Sequence, residues 1–270
     1  MHMAERGYMI AAFDPGVMMS LIKRAEGQVS LTAAATALDR LIMQVRRELG
    51  LPDATPTILT GYSRGSNLVV FAAGERDLRR HLLGGVAVAL TREADHLQEP
   101  DPARNTPALP VDDRGRLQTY PAISRLGALP FAVIQSAGDS YVRAEESRRL
   151  FGPDTPTRRL YEVDAIDHAF DGGHEALLHD LDDALAWIIA HNRRARTQAR
   201  DTPAPVPFGS HRHRGRARTG VQLGHCPRVD PVDCLRITLR PVRSNHQPGA
   251  NRAVRPSQSG IRQKSIALPL

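Results

Sequence analysis

The sequence predicts an α/β fold built on a mostly parallel central sheet with helices on both faces. Three observations carry this. Short apolar runs alternate with segments of helical period over the first two thirds of the chain. The runs are almost continuously apolar, as strands buried on both faces must be. Gly61-Tyr62-Ser63-Arg64-Gly65 falls between one such run and a helical one, the setting in which a G-x-S-x-G turn lifts a serine hydroxyl clear of a sheet.

The elements follow in order. Tyr8-Met9-Ile10-Ala11-Ala12-Phe13 reads as a buried strand, ended by the turn chemistry of Asp14-Pro15-Gly16. Ser30 or Thr32 can cap a helix over 31–49, whose apolar stripe is Leu38, Leu41, Ile42, Val45 and Leu49 and whose stop is Gly50 and Pro52. Pro56 to Thr60 is the strand before Ser63, and Asn67 to Ala73 the helix after it. Leu82 to Leu90 holds a further strand. Residues 95–125, rich in Pro and Asp, read as a polar loop or lid forming part of a pocket wall. Pro130 to Gln135 is the next strand, ending at Ser136-Ala137-Gly138-Asp139 and followed by a helix with Glu145, Arg148 and Leu150. Arg159 to Val163 is a final strand. A helix from about Gly173 to Arg194 then offers Leu177, Leu181, Leu185, Trp187 and Ile188 to the sheet.

The chain has 270 residues, enough for one such domain, residues 1–196, and a tail, residues 197–270. Hydrophobic residues make up 41% but aromatics only 4%, so the core must be aliphatic. The net charge of +7 suggests a polyanionic partner until it is divided. Residues 201–270 hold 12 Lys and Arg against 3 Asp and Glu, and residues 1–200 hold 24 against 26. The basicity therefore belongs to the tail, and the body gives no electrostatic reason to expect nucleic acid. No stretch is long and apolar enough for a membrane helix, and the N-terminus lacks the three-part pattern of a secretory signal. As written the chain reads as cytoplasmic, or as periplasmic if its true start lies upstream. Nothing in it calls for a cofactor or a metal. His211, His213, His225, Cys226 and Cys234 match no closed zinc spacing.

Ser63, Asp139 and His168 each fall just past the carboxyl end of a predicted strand, where open parallel sheets bind ligands. Their chemistry is complementary. A serine hydroxyl is too weak an acid to attack unaided, an imidazole can take its proton, and a carboxylate can fix the imidazole tautomer. The N–H of Arg64 would face a developing oxyanion, and Gly61 and Gly65 would keep the turn free of clashes. Alternatives exist for each. Asp139 can instead open a turn or cap the next helix, Asp167 and Asp164 are rival carboxylates, and His174 is a rival base.

Together the elbow Gly61–Gly65, the strand end Ser136–Asp139 and the loop Asp167-His168-Ala169-Phe170 resemble the α/β-hydrolase superfamily over about residues 7–193. That resemblance implies a three-layer fold and a serine hydrolase acting on an ester or related acyl bond. The strand ending at Asp14 and the Gly-Tyr-Ser-x-Gly elbow also resemble the bacterial virulence VirJ/AcvB group, which implies an envelope-associated hydrolase-like domain. The chain departs from the superfamily pattern in one respect. At least two strands usually precede the elbow strand, and the loop after the earlier one supplies a second oxyanion N–H. Here one strand precedes it, so by resemblance the fold lacks its N-terminal strands and bares a sheet edge. Loss of one oxyanion donor costs about 2.7–4 kcal/mol, or about 10²–10³ in rate. Asp14-Pro15-Gly16 could supply a substitute. Otherwise the chain is a weak or inactive hydrolase, a non-catalytic binding protein, or one whose true start lies upstream.

From Arg196 the composition changes. Pro, Arg, Ser, Gln and Gly dominate, which predicts disorder over 197–270 with a short strand at Cys234 to Leu239. Of the 36 basic residues all but Lys23 and Lys264 are Arg. The tail reads as a frame-shifted read-through of a GC-rich gene, or as a basic arm for nucleic acid or anionic surfaces.

Overall fold

The computed structural model describes residues 2–97, 109–201, 235–239 and 265–268. The strands are β1 (Ala11–Ala12), β2 (Thr57–Tyr62), β3 (Leu82–Val88), β4 (Glu93–Ala94), β5 (Leu117–Gln118), β6 (Phe131–Ser136), β7 (Arg158–Val163), β8 (Leu235–Leu239) and β9 (Ser265–Leu268). The helices are α1 (His2–Glu5), α2 (Pro15–Glu26), α3 (Leu31–Glu48), α4 (Arg64–Gly74), α5 (Arg76–Arg79), α6 (Thr119–Ala122), α7 (Ala144–Phe151) and α8 (His174–Asp201), with a 3₁₀ turn at Ile123–Leu126.

The central sheet runs β2-β3-β6-β7, and every pairing in it is parallel. Alternation along the strands feeds two cores. Ala87, Phe131, Val133 and Leu160 join the apolar stripes of α2, α3 and α4 on one face. Val86, Val88, Ala132, Ile134 and Val163 meet Ala184, Leu185, Trp187 and Ile188 of α8 on the other. The result is the three-layer, mostly parallel α/β arrangement that the sequence predicts. β3 and β6 are buried along nearly their whole length, whereas β2, at one edge, is half-buried or exposed throughout.

Helix signals explain most boundaries. Ser30 caps α3, its side chain accepting from Ala33 N at 3.1 Å. α8 continues to Asp201, past the end expected near Arg194. α2 is absent from the sequence reading, which takes Asp14-Pro15-Gly16 as a turn. In the fold Asp14 is a helix cap, its carboxylate accepting from Gly16 N at 2.8 Å and Val17 N at 3.4 Å, with Pro15 in the first turn. Met18, Met19, Leu21 and Ile22 are the buried face of that helix.

Two expectations are corrected. Tyr8–Phe13 does not join the central sheet. Only Ala11–Ala12 of this segment forms a strand, and it pairs antiparallel with β8, which pairs antiparallel with β9. The reason is where the segment must go. Met3 and Tyr8 pack with the α8 core and Phe13 with the α3 core, so the chain crosses the free edge of β2 instead of running along it. Arg6 pins it to Asp182 of α8 at 2.8 Å, and Met9 (60% exposed) and Ile10 (42%) are left outside. A cavity of about 830 Å³ lies between this strap, β2, α3 and α8.

Residues 95–125 are not simply a polar lid. β4 pairs with β5, and Leu97, Leu109, Leu117, Tyr120, Ile123 and Leu126 are buried in the core on the α4 side. Residues 98–108 lie outside the described residues. So does most of 197–270, including His211, His213, His225, Cys226 and Cys234; the expected strand near Leu239 is β8.

Candidate active site

Three loops meet beyond the carboxyl ends of β2, β6 and β7, and two close backbone approaches bring them together. A Cβ on Gly61 would lie 2.1 Å from the carbonyl oxygen of Gly65, so the turn from β2 into α4 admits only glycine there. A Cβ on Gly138 would lie 2.0 Å from the carbonyl oxygen of Ile166, so the loops after β6 and β7 can touch only because position 138 is glycine. Gly65 corrects the sequence reading: a Cβ there meets nothing within 4 Å, so its own side is open and Gly61 alone is sterically required.

Ser63 occupies the tip of the first turn with φ 53° and ψ −119°, a region that non-glycine residues seldom adopt. Its N–H donates to Val88 O of the neighbouring strand at 2.9 Å, which holds the strained turn against the sheet. Arg64 is the first residue of α4, so its N–H has no acceptor within the helix.

The three predicted side chains are brought into one hydrogen-bonded line. His168 Nε2 lies 2.8 Å from Ser63 Oγ, and His168 Nδ1 lies 2.7 Å from Asp139 Oδ2. The Asp139 side chain is fully buried and the imidazole is 18% exposed. With the carboxylate as acceptor, Nδ1 carries the proton and Nε2 is left to accept from the serine hydroxyl. Asp139 is held from several sides. Oδ1 accepts from Tyr141 N at 2.8 Å and from Val142 N at 3.4 Å, and Oδ2 also accepts from Gln135 Nε2 at 2.8 Å.

Gln135 is the residue that sequence reasoning missed. It is completely buried in β6, its Oε1 accepts from Leu90 N at 3.0 Å, and its Nε2 donates to Val142 O at 2.6 Å as well as to Asp139. Its signal was present: an amide side chain in a largely apolar strand, four residues before a carboxylate, must find partners.

The rivals are placed elsewhere. Asp167 Oδ1 accepts from Ala169 N at 2.9 Å and Asp171 N at 3.1 Å, closing its own loop. His174 is exposed at the start of α8, and Asp164 is exposed. The N–H groups of Gly16 and Val17 are held by Asp14, so the Asp14-Pro15-Gly16 segment does not present them to the serine. A smaller cavity of about 230 Å³ separates Phe13 and Pro15 from Gly61, Tyr62 and Gly65.

Aromatic rings flank His168. Tyr62 lies on one side at 5.4 Å between centroids, its Oη donating to His168 O at 2.8 Å. Tyr141 meets the imidazole edge-on at 4.7 Å. Burial, followed by the charges of Asp139 and Asp167, pushes the Tyr62 phenol above its ordinary pKa. Arg64 is 72% exposed and reaches Asp95 at 3.4 Å. Among the described residues no cluster of His, Cys, Asp and Glu could hold a metal ion.

No protein-family model and no curated protein matches the chain. Solved structures similar to it include a monoacylglycerol lipase of Paleococcus ferrophilus, at 18% identity over 61% of this chain and 77% of that one, with a TM-score of 0.36. Another is the esterase domain of a Rhodothermus marinus protein, at 19% identity over 52% and 59%, with a TM-score of 0.31. A third is a thioesterase domain from the curacin biosynthetic pathway, at 15% identity over 60% and 73%, with a TM-score of 0.30. The match spans less than two thirds of the Rhodothermus chain.

Proposed function

We propose that the chain is a serine hydrolase of the α/β-hydrolase fold that cleaves an ester or related acyl bond through an acyl-enzyme on Ser63. The observation that carries this reading is the line Ser63 Oγ, His168, Asp139, at 2.8 and 2.7 Å, at the rim of a parallel sheet. In the first half-reaction Oγ bonds to the acyl carbon as its proton passes to His168 Nε2. The bond to the leaving oxygen then breaks, and His168 returns the proton to it. Water, deprotonated by the same imidazole, attacks the acyl-serine and releases the acid. Asp139 stays ionised and stabilises the imidazolium in each half. The N–H of Arg64 is the donor for the oxyanion. No cofactor enters this chemistry, and the substrate is a small molecule or an acyl ester. The hydrolase domain is residues 1–196 and the basic tail residues 197–270. No described helix is long and apolar enough to cross a membrane.

One observation favours a second reading, a non-catalytic hydrolase-like binding or envelope-accessory protein of the VirJ kind. The N–H groups of Gly16 and Val17, in the segment the sequence offered as a substitute oxyanion donor, are engaged by Asp14. A fluorophosphonate probe separates the two readings. Covalent labelling of the purified chain that disappears in Ser63→Ala supports the hydrolase; a folded wild-type sample that takes no label supports the binding protein.

A further inference from the structure

Tyr62 stands outside the line from Ser63 to Asp139, yet it touches both sides of the site. It immediately precedes Ser63, and its phenol donates to the backbone oxygen of His168 at 2.8 Å. The loop that carries His168 is closed largely on itself. Asp167 Oδ1 takes the N–H groups of Ala169 and Asp171, Ile166 N donates to Asp171 O at 2.9 Å, and Phe170 is buried at φ 65°. Its bonds to neighbouring structure run to the loop after β6, through Gly138 N and Ser136 Oγ to Ala165 O. Among the described residues, the Tyr62 bond is the one hydrogen bond, besides that of Ser63 with His168 itself, between residues 164–173 and the elbow.

We infer that Tyr62 is a positioning residue: its hydroxyl latches the His168 backbone to the serine turn and so fixes the distance from Nε2 to Oγ. The inference rests on the reading of Ser63 and His168 as nucleophile and base. A reacting pair misplaced by about 1 Å can lose about 10² in rate, so a latch on the base is a lever on the chemistry even where it adds little stability. Tyr62 is 49% exposed, so the bond competes with water, and its loss unlocks the loop without unfolding it. The phenol faces the carboxylates of Asp139 and Asp167 and the hydroxyl of Tyr141, which together with burial keep it protonated and able to donate.

Tyr62→Phe keeps the ring and removes the latch. Two readouts test it. Amide hydrogen exchange over residues 166–170 is expected to quicken in the variant while β6 is unchanged. Fluorophosphonate labelling is expected to slow about tenfold, and for p-nitrophenyl acetate kcat falls by a similar factor with KM unchanged. Unchanged loop exchange would overturn the latch. Faster exchange with wild-type labelling would overturn the positioning role and leave the hydrolase reading intact. A wild type that takes no label would sink the hydrolase reading and this role together, while the exchange result would still report on the bond itself. A raised KM at constant kcat would assign Tyr62 to substrate binding instead.

Discussion

β6 delivers Asp139 from the enclosed interior of the sheet and its partner β7 brings His168 beside it, whereas β2 delivers Ser63 from an open edge. On the enclosed side β6 is buried at every position, the Asp139 carboxylate accepts four hydrogen bonds, and the loops after β6 and β7 approach so closely that only Gly138 fits. On the open side no residue of β2 is fully buried, and a cavity of about 830 Å³ lies along it under the strap of residues 7–13. The contrast teaches where each demand is met. A carboxylate that must remain charged out of water needs a finished polar shell, so it belongs where the sheet is complete. A serine hydroxyl is neutral, and its placement needs only a strained turn, which Gly61 and the bond from Ser63 N to Val88 O supply locally. Damage to the enclosed side should therefore strike chemistry, and damage at the foot of β2, away from Tyr62 and Ser63, should strike stability.

The sharpest way to break this division is Asp139→Asn. Asp139 Oδ1 and Oδ2 receive only donors: Gln135 Nε2, the N–H groups of Tyr141 and Val142, and His168 Nδ1. An amide must turn its NH₂ toward some of them, and the imidazole loses the acceptor that fixes its tautomer. Labelling by fluorophosphonate is expected to fall by about 10⁴ while the fold persists. Retained labelling would mean that the enclosed side does not govern the reaction.

Arg46 probes the open side. It is 3% exposed and lies at the foot of β2, where Nη2 donates to Thr55 O at 2.6 Å, Thr57 Oγ1 at 2.8 Å and His81 O at 3.3 Å, and Nη1 donates to Asp53 O. One side chain thus ties α3, the entry to β2 and the start of β3. Arg46→Met keeps the aliphatic stem and strips those acceptors of their partner, for an expected loss of about 2–3 kcal/mol. The measurement is the urea midpoint at constant m, beside the labelling rate of the folded protein. A variant of normal stability but slow labelling would reverse the division.

The same contrast explains what was legible in the sequence. β3 and β6 declared themselves because strands buried on both faces are almost continuously apolar, and Asp139 and His168 were readable as polar groups just past the ends of β6 and β7. Ser63 was readable from its glycines, although Gly61 alone proves sterically necessary. The errors gather where one local pattern serves two structures. Asp14-Pro15-Gly16 fits a turn as well as a helix start, and only the buried positions of α2 decide between them. Tyr8–Phe13 has a strand's composition, but composition cannot tell a chain that lies along an edge from one that crosses it. Leu97 and Leu109 lie outside any helix or strand and Leu117 sits in the two-residue β5, so none of them carries a period. Gln135 required asking what a buried amide binds.

The smallest expected effect lies on the flank of the serine turn. His96 is 13% exposed, and its Nδ1 lies 3.2 Å from Asp95 Oδ1. Burial holds its pKa below 6.5, and the charge of Arg64 acts in the same direction, against the opposing pull of Asp95. The sign follows from linkage. Below pH 6.5 the unfolded chain binds a proton that the folded site resists, so this contribution is whole above that pH and is lost as pH falls toward the folded value. Stability between pH 7 and pH 5 should therefore decline less in His96→Gln than in wild type. The difference in slope is bounded at about 1.4 kcal/mol per pH unit for one proton. Parallel curves from urea melts across that range would mean that His96 is as easily protonated in the fold as out of it. The turn beside Arg64 would then be as open as the edge of β2, and the enclosed side of the site would end at the loops after β6 and β7.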